Sequence, residues 1–232
     1  MAGFLHLLKI IRMTVKTEDL GKQFEMAVCL VYGIEYDGKY KYGLEEPEKF
    51  SKRLRLLPRL FPLPKHTAKR GARYDFTAVR DETEHLSIKT TKGDGKVAPQ
   101  VIGQPSIRKF RDLLKIPDMT VPRLKEYIQL HIADILPVLE EYTFDCPNVY
   151  YNKKKNMILY VVRTSPIKWS SAGPMTWTRS AEHWENSSTL KIDGTAILEM
   201  QFHTASRSNM ANRWNYEALL LMFPQNFEIV SF

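Results

Sequence analysis

Two short alternating segments around a polar turn constrain the fold of this chain more than any other feature. RYDFTAV (73–79) and HLSIKTT (85–91) are rich in β-branched and aromatic residues and flank RDETE, the pattern of a β-hairpin. Side chains alternate along a strand, so Ser87, Lys89 and Thr91 share one side of HLSIKTT and Leu86, Ile88 and Thr90 the other. With Leu86 and Ile88 turned to a core, Lys89 points away from it. Asp75, on the partner strand, is expected on the side of Lys89.

The flanking sequence supplies helices and further strands. In TEDLGKQFEMAVCLVYG (17–33), Leu20, Phe24, Ala27, Val28 and Val31 recur at helical spacing. Thr17 is the expected N-cap, Asp19 lies in the first turn, and Gly33 ends the helix. Glu25 sits at the edge of that stripe, where solvent is a carboxylate's ordinary surrounding. Residues 34–72 read as a loop region with one or two short elements and a basic cluster of Lys65, His66, Lys69, Arg70 and Arg73. Segments 106–115 and 120–141 read as helices, with Pro122 in a first turn and Pro137 kinking or ending the second. VYYNKKKNMILYVVR predicts two strands around Lys153–Lys155. Residues 164–187 look irregular and carry Trp169, Trp177 and Trp184, whose ordinary role is packing. STLKIDGTAILEMQFH predicts a hairpin turning at Asp193-Gly194, and NRWNYEALLLMF a final helix. The order implies an α/β (α+β) domain, a mixed sheet of about five strands flanked by helices. Residues 1–16 are expected to be an extension. Residues 17–232 form one domain, with a catalytic core at 17–115 and recognition elements at 145–232.

Composition narrows the function classes. At 44% hydrophobic and 26% charged the chain can bury a core unaided. Lys and Arg number 34 against 26 Asp and Glu, a net +8, and such a surface attracts phosphate backbones. The two cysteines, Cys29 and Cys146, form no CxxC, and His66, His131 and His183 are isolated in sequence, so no zinc-ligand spacing is present. No run approaches the roughly 20 apolar residues that span a bilayer, and Met1–Met13 lacks a signal-peptide cleavage site.

A carboxylate and a lysine at the end of a hairpin suit phosphodiester hydrolysis. The carboxylate holds a hard cation, the cation polarises a phosphoryl oxygen and activates water, and the lysine orients that water or offsets developing charge. Alone, the spacing D-x11-S-x-K fits an edge hairpin with a surface salt bridge equally well.

Taken together, GKQFE (21–25), YDFTAV (74–79) and HLSIKTTKGDGKVAPQVIGQP (85–105) resemble the catalytic core of type II restriction endonucleases of the PD-(D/E)xK superfamily. The resemblance implies a restriction-endonuclease-like core and Mg2+-dependent cleavage of double-stranded DNA. By it, Asp75 is a metal ligand, Lys89 the catalytic lysine, Glu25 the acid of the leading helix, and the Ile88 carbonyl a further metal ligand. Ser87 departs from the pattern, since the family has Asp or Glu there, and no proline precedes Asp75. Glu25 or Glu84 could supply the missing acid, and Gln100 and Gln104 could complete a water-mediated shell. With Lys92 and Lys96 of KGDGK, these glutamines are also expected near DNA.

A second constellation lies at ILEMQFHTASRSNMANR (197–213). Its strand alternates apolar residues with Glu199, Gln201 and His203, and a polar loop follows. Arg reads guanine and Asn or Gln reads adenine through paired hydrogen bonds. Gln201, His203, Ser206, Arg207, Asn209, Asn212 and Arg213 are therefore candidate DNA contacts, although Arg207 and Arg213 suit phosphate equally. The segment also resembles the C-terminal strand-loop-helix of several restriction enzymes. Three functions stay open: a site-specific endonuclease, a repair or junction-resolving nuclease, and a DNA-binding protein whose nuclease core is inactive. The resemblance is compatible with a homodimer and implies an intracellular setting, a bacterial cytoplasm or a virus-infected cell.

Overall fold

The computed structural model describes residues 17–38, 43–68, 72–203 and 208–232. Helix α1 (Thr17–Tyr32) buries Leu20, Phe24, Ala27 and Val28 on one face and stops at Gly33, whose φ of +62° is the left-handed end that glycine permits. Thr17 is the first helical residue; its expected capping side chain lies outside the described residues. The loop region then folds into helix α2 (Glu45–Arg53), a 3-10 turn at Leu57–Arg59 and strand β1 (Pro64–His66).

The anticipated hairpin is β2 (Phe76–Ala78) with β3 (His85–Thr91), Phe76 opposite Leu86. It belongs to a six-stranded mixed sheet ordered β1-β2-β3-β5-β6-β11, with β5 at Asn148–Asn152, β6 at Met157–Arg163 and β11 at Phe227–Ser231. Only β3 and β5 run parallel. Parallel neighbours need a long crossover, and here it contains β4 (Lys96–Val97), α3 (Ile107–Leu114), α4 (Val121–Leu130) and α5 (Ile132–Phe144). Apolar side chains cover both faces. Leu86, Val149, Tyr151 and Ile158 meet α1 and α2 on one side. Tyr150 and Val161 join the crossover helices on the other.

A second, antiparallel sheet, β4-β10-β9-β8-β7, was not anticipated. It contains β7 (Met175–Trp177), β8 (Ser187–Ile192), β9 (Thr195–His203) and β10 (Asn209–Asn215). Only Lys92–Gly95 separate β3 of the first sheet from β4 of the second, so the sheets meet beside Lys89. The β8–β9 turn has positive φ at Asp193 (+47°) and Gly194 (+77°), as a tight hairpin turn needs. A register shift between Leu190 and Lys191 leaves Ile197 as an extra β9 residue, turned into the core. Helix α6 (Tyr216–Met222) packs behind this sheet, and its Glu217 accepts hydrogen bonds from Tyr150 (2.7 Å) and Asn152 (2.6 Å) of β5.

Three expectations are corrected. Asn209–Asn215 is a strand, not a loop entering a helix: Met210, Asn212 and Trp214 alternate into the core, and the Asn212 amide donates to the Ile102 carbonyl at 2.7 Å. Pro137 does not end a helix. The break falls at His131, while α5 runs on through Pro137, where the exposed Ala133 carbonyl that loses its partner can turn to water. Strand β11 was not foreseen. Trp169, Trp177 and Trp184 pack in or against the core, with Trp169 stacked 5.9 Å from Trp214. Cys29 and Cys146 are free and buried. Among the described residues no helix is long and apolar enough to cross a membrane.

Phe24 joins α1 to the first sheet, its ring 5.2 Å from Phe50 and 5.3 Å from Tyr151. Phe24→Ala should cost about 3–5 kcal/mol of stability, the usual range for a buried phenylalanine, as measured by urea denaturation.

Candidate active site

Asp75 sits at the head of β2, its carbonyl accepting from the Thr67 amide at 2.9 Å. Its Oδ2 accepts from the Ile88 amide at 2.6 Å. The Ser87 amide turns to the other side of β3 and donates to the Pro147 carbonyl at 3.0 Å. A strand residue's N–H and C=O point the same way, so the Ile88 carbonyl also faces the Asp75 carboxylate. One residue on, Lys89 lines a cleft of about 780 Å³ at the junction of the two sheets.

Burial pushes the Asp75 carboxyl up to about 6. The Lys89 ammonium opposes that shift, the negative charge of Glu25 adds to it, and the Ile88 amide and His66 oppose it further. Burial lowers the Lys89 amine, and Asp75 works against that lowering. The two side chains predicted to work together therefore sense each other's charge.

Glu25 is not at a solvent-facing edge. Its Oε2 lies 3.3 Å from Nε2 of His66 on β1, which is buried between Tyr36 and Phe76. His66 Nδ1 is buried with no hydrogen-bond partner, so Nε2 is the ring atom that engages Glu25. His66 is thus not isolated, though its partner is a carboxylate and not a zinc set.

Ser87 is fully buried and hydrogen-bonded to the Gln100 side chain. With its amide oxygen toward Ser87, Gln100 donates to the Tyr142 carbonyl (2.9 Å) and Asp145 Oδ1 (3.2 Å). Asp145 is also held by Arg73 (2.7 Å) and by the Tyr74 hydroxyl. Gln100 is therefore committed inside the fold and does not face a groove. Where the resemblance calls for an acid, a buried hydroxyl–amide pair stands. Glu84 is exposed at the opposite end of β3 from Lys89 and lines a separate hollow of about 350 Å³, so it does not supply the acid.

Asp75, Glu25 and the Ile88 carbonyl are the oxygen donors on hand. The mutual repulsion of the two carboxylates is the kind that a cation relieves, and two carboxylates with one carbonyl suit a hard cation that keeps several waters. Among the described residues, no group of three or more His, Cys, Asp or Glu side chains is arranged to hold a metal. The donors fit a sparse oxygen site and not a three-acid cage.

The cleft that holds Lys89 also contains Lys92, Lys96, Arg213 and Gln104, with Asp94 the one carboxylate on its wall. Gln201, His203, Asn209 and Arg213 alternate on the open face of β9 and β10. Asn212 is buried and bonded to Ile102, which removes it from the candidate DNA contacts. Ser206 and Arg207 lie outside the described residues. Sequence reasoning missed His66 and Asp145 as neighbours of the site, because their partners lie far away in the chain and form no local motif. It also gave Glu199 no role, although that residue shared the alternation of Gln201 and His203.

No family model matches the chain, and no solved structure does. Among curated proteins it is 40% identical, over 216 residues, to the type II restriction enzyme CviAII of Paramecium bursaria Chlorella virus 1. The alignment takes in 92% of this chain and 62% of the relative, so the chain spans somewhat over three fifths of that protein's length.

A carboxyl whose folded pKa is raised holds its proton more tightly folded than unfolded. For Asp75 that stabilisation is complete below its ordinary value of 3.8 and is lost as pH rises through about 6. In metal-free solution, Asp75→Asn should therefore raise stability at pH 7.5 by about 3 kcal/mol and change it little at pH 3.5. Urea midpoints in EDTA at the two pH values check both the size and the sign.

Proposed function

We propose that this chain is a site-specific endonuclease that hydrolyses phosphodiester bonds of double-stranded DNA, in the manner of a type II restriction enzyme, with Mg2+ as cofactor. The observation that carries this reading is the Asp75 carboxylate fastened to the Ile88 amide, one residue from a half-buried lysine, on a hairpin beside a basic cleft. The name of the viral relative supports it independently.

Asp75, Glu25 and the Ile88 carbonyl would hold the cation, which supplies charge for the phosphoryl oxygens and a water more acidic than bulk. His66 holds the Glu25 carboxylate in place through Nε2. Lys89, kept half-buried beside Asp75, donates to the attacking water or to the phosphoryl oxygen on which negative charge grows. As water adds to phosphorus and the ester oxygen leaves, that added charge stays next to the ammonium. Lys92 and Lys96 attract the backbone into the cleft, and Arg213, Gln201, His203, Asn209 and Gln104 offer guanidinium, amide and imidazole groups to the duplex. Cutting both strands with one such site per chain calls for two copies, so we include a homodimer in the proposal. The buried Ser87–Gln100 pair favours one rival, a DNA-binding protein of this fold that does not cleave.

Incubation of sequenced plasmid DNA with and without Mg2+ tests the reading. Discrete bands that need magnesium support it; intact plasmid bound by the protein supports the rival, and preference for branched substrates a junction resolvase. Lys89→Ala should reduce cleavage at least 1,000-fold, as expected of a residue serving the transition state, and leave the DNA dissociation constant within about threefold. Single-turnover cleavage and gel-shift titration in Ca2+ give the two numbers.

A further inference from the structure

The polar face of the second sheet holds one carboxylate among its cations, and the proposed function leaves it unused. Glu199 on β9 stands directly opposite Arg213 on β10. Opposed side chains start about 5 Å apart at Cβ and point the same way. Their other neighbours on these strands, Leu198, Met200 and Trp214, turn into the core and fix that orientation. Glu199 is sunk at 13% side-chain exposure, while Arg213 and Lys96 stand above it at 34% each. Lys96 holds Glu199 Oε2 at 3.0 Å, and Arg213 Nη1 is 3.7 Å from the same oxygen. That longer contact leaves most of the guanidinium fork uncommitted. Arg213 and Lys96 line the cleft that contains Lys89.

An arginine beside a glutamate makes a narrow chemical demand. The fork needs two acceptors side by side and the carboxylate needs a donor next to them. Of the four base-pair orientations, only a guanine–cytosine pair presents this in the major groove, with O6 and N7 of guanine beside N4–H2 of cytosine. Adenine–thymine offers acceptor, donor, acceptor, and leaves the fork half satisfied.

We propose that Glu199 and Arg213 together read one G·C base pair next to the phosphate held at Lys89, Arg213 donating to guanine and Glu199 accepting from cytosine. The assignment rests on the endonuclease reading. It goes beyond it by naming a base pair and a specificity residue, Glu199. Lys96 is a positioning residue that fixes the carboxylate rotamer from the phosphate side. The bland alternative is that Glu199 only offsets the charge of Lys96 and Arg213, and the two differ in what a substitution does to specificity.

Selection of bound duplexes from a random-sequence library, in Ca2+ to block cleavage, followed by competition with single-base variants, tests the assignment. Wild type should enrich a site with at least one fixed G·C pair. Glu199→Gln, which keeps the shape, and Arg213→Ala should each cut discrimination at that one position by about ten- to hundredfold. Discrimination elsewhere should stay within about threefold. Arg213→Lys should not rescue it, because an ammonium lacks the fork. Lys96→Ala should weaken binding to all sequences with a shallower salt slope and, by releasing the Glu199 carboxylate, cut discrimination at that one position more than elsewhere. Uniform loss in the Glu199 and Arg213 variants, or a full wild-type pattern in both, overturns the assignment while the endonuclease reading stands. Wild type that enriches no site in Ca2+ and cuts no plasmid in Mg2+ overturns that reading, and this inference with it. Melting curves of each variant keep misfolding apart from either result.

Discussion

The parallel pairing of β3 with β5 is the constraint on which the rest depends. A strand paired with β5 and covered on both faces has little room for polar side chains, yet β3 carries Ser87, Lys89 and Thr91. Each is accommodated differently: Ser87 by Gln100, Thr91 by Asp94 across the following turn, and Lys89 by the opening of the cleft beside it. Parallel pairing also forces the chain to leave the sheet after β3 and return at β5. The path it takes lays down β4, and β4 is where the second sheet attaches. The same pairing therefore leaves the lysine half-buried and brings a second, polar sheet face to its side.

The electrostatics follow from that arrangement. Asp75, Glu25 and Lys89 are close enough to shift one another in a setting where desolvation is the largest cause for both Asp75 and Lys89. A buried ion pair would lower the carboxylate, and here the net shift is upward, so two acids and burial outweigh one lysine. Such a balance is poor for folding and useful for a site that gains charge when loaded. His66 contributes by restraint: its Nε2 lies 3.3 Å from the Glu25 carboxylate.

What could be read from the sequence was what repeats over short distances. The β2–β3 hairpin, the Asp193-Gly194 turn and the α1 stripe each rest on spacing within about 20 residues, and together they located Asp75, Lys89 and Glu25 and a mixed sheet flanked by helices. Strand β10 was hidden because Asn212 occupies an inward position, which breaks the apolar alternation until its bond to Ile102, 110 residues earlier, is seen. The second sheet was hidden because β4 is two residues long and its partner lies more than 100 residues on. Glu25 looked like an ordinary surface acid, since His66 stands 41 residues away in a basic run. The polar loop at 204–213 seemed to hold the recognition groups, whereas Asn209–Arg213 belong to a strand and only their alternation decides which side chains reach the open face.

The Ser87–Gln100 pair has a consequence for how two ligands would communicate. Every unneutralised carboxylate near a bound phosphate repels it, and a cation that removes the repulsion makes cation and nucleic acid tighten each other by the same factor. A site with three acids makes that mutual tightening large, because the duplex meets a strongly negative pocket until the cation arrives. Here one of the acids is replaced by a hydroxyl already satisfied from within the fold. If the remaining two hold a cation as proposed, the coupling would be weaker by one charge's worth, and DNA binding would depend less on the cation.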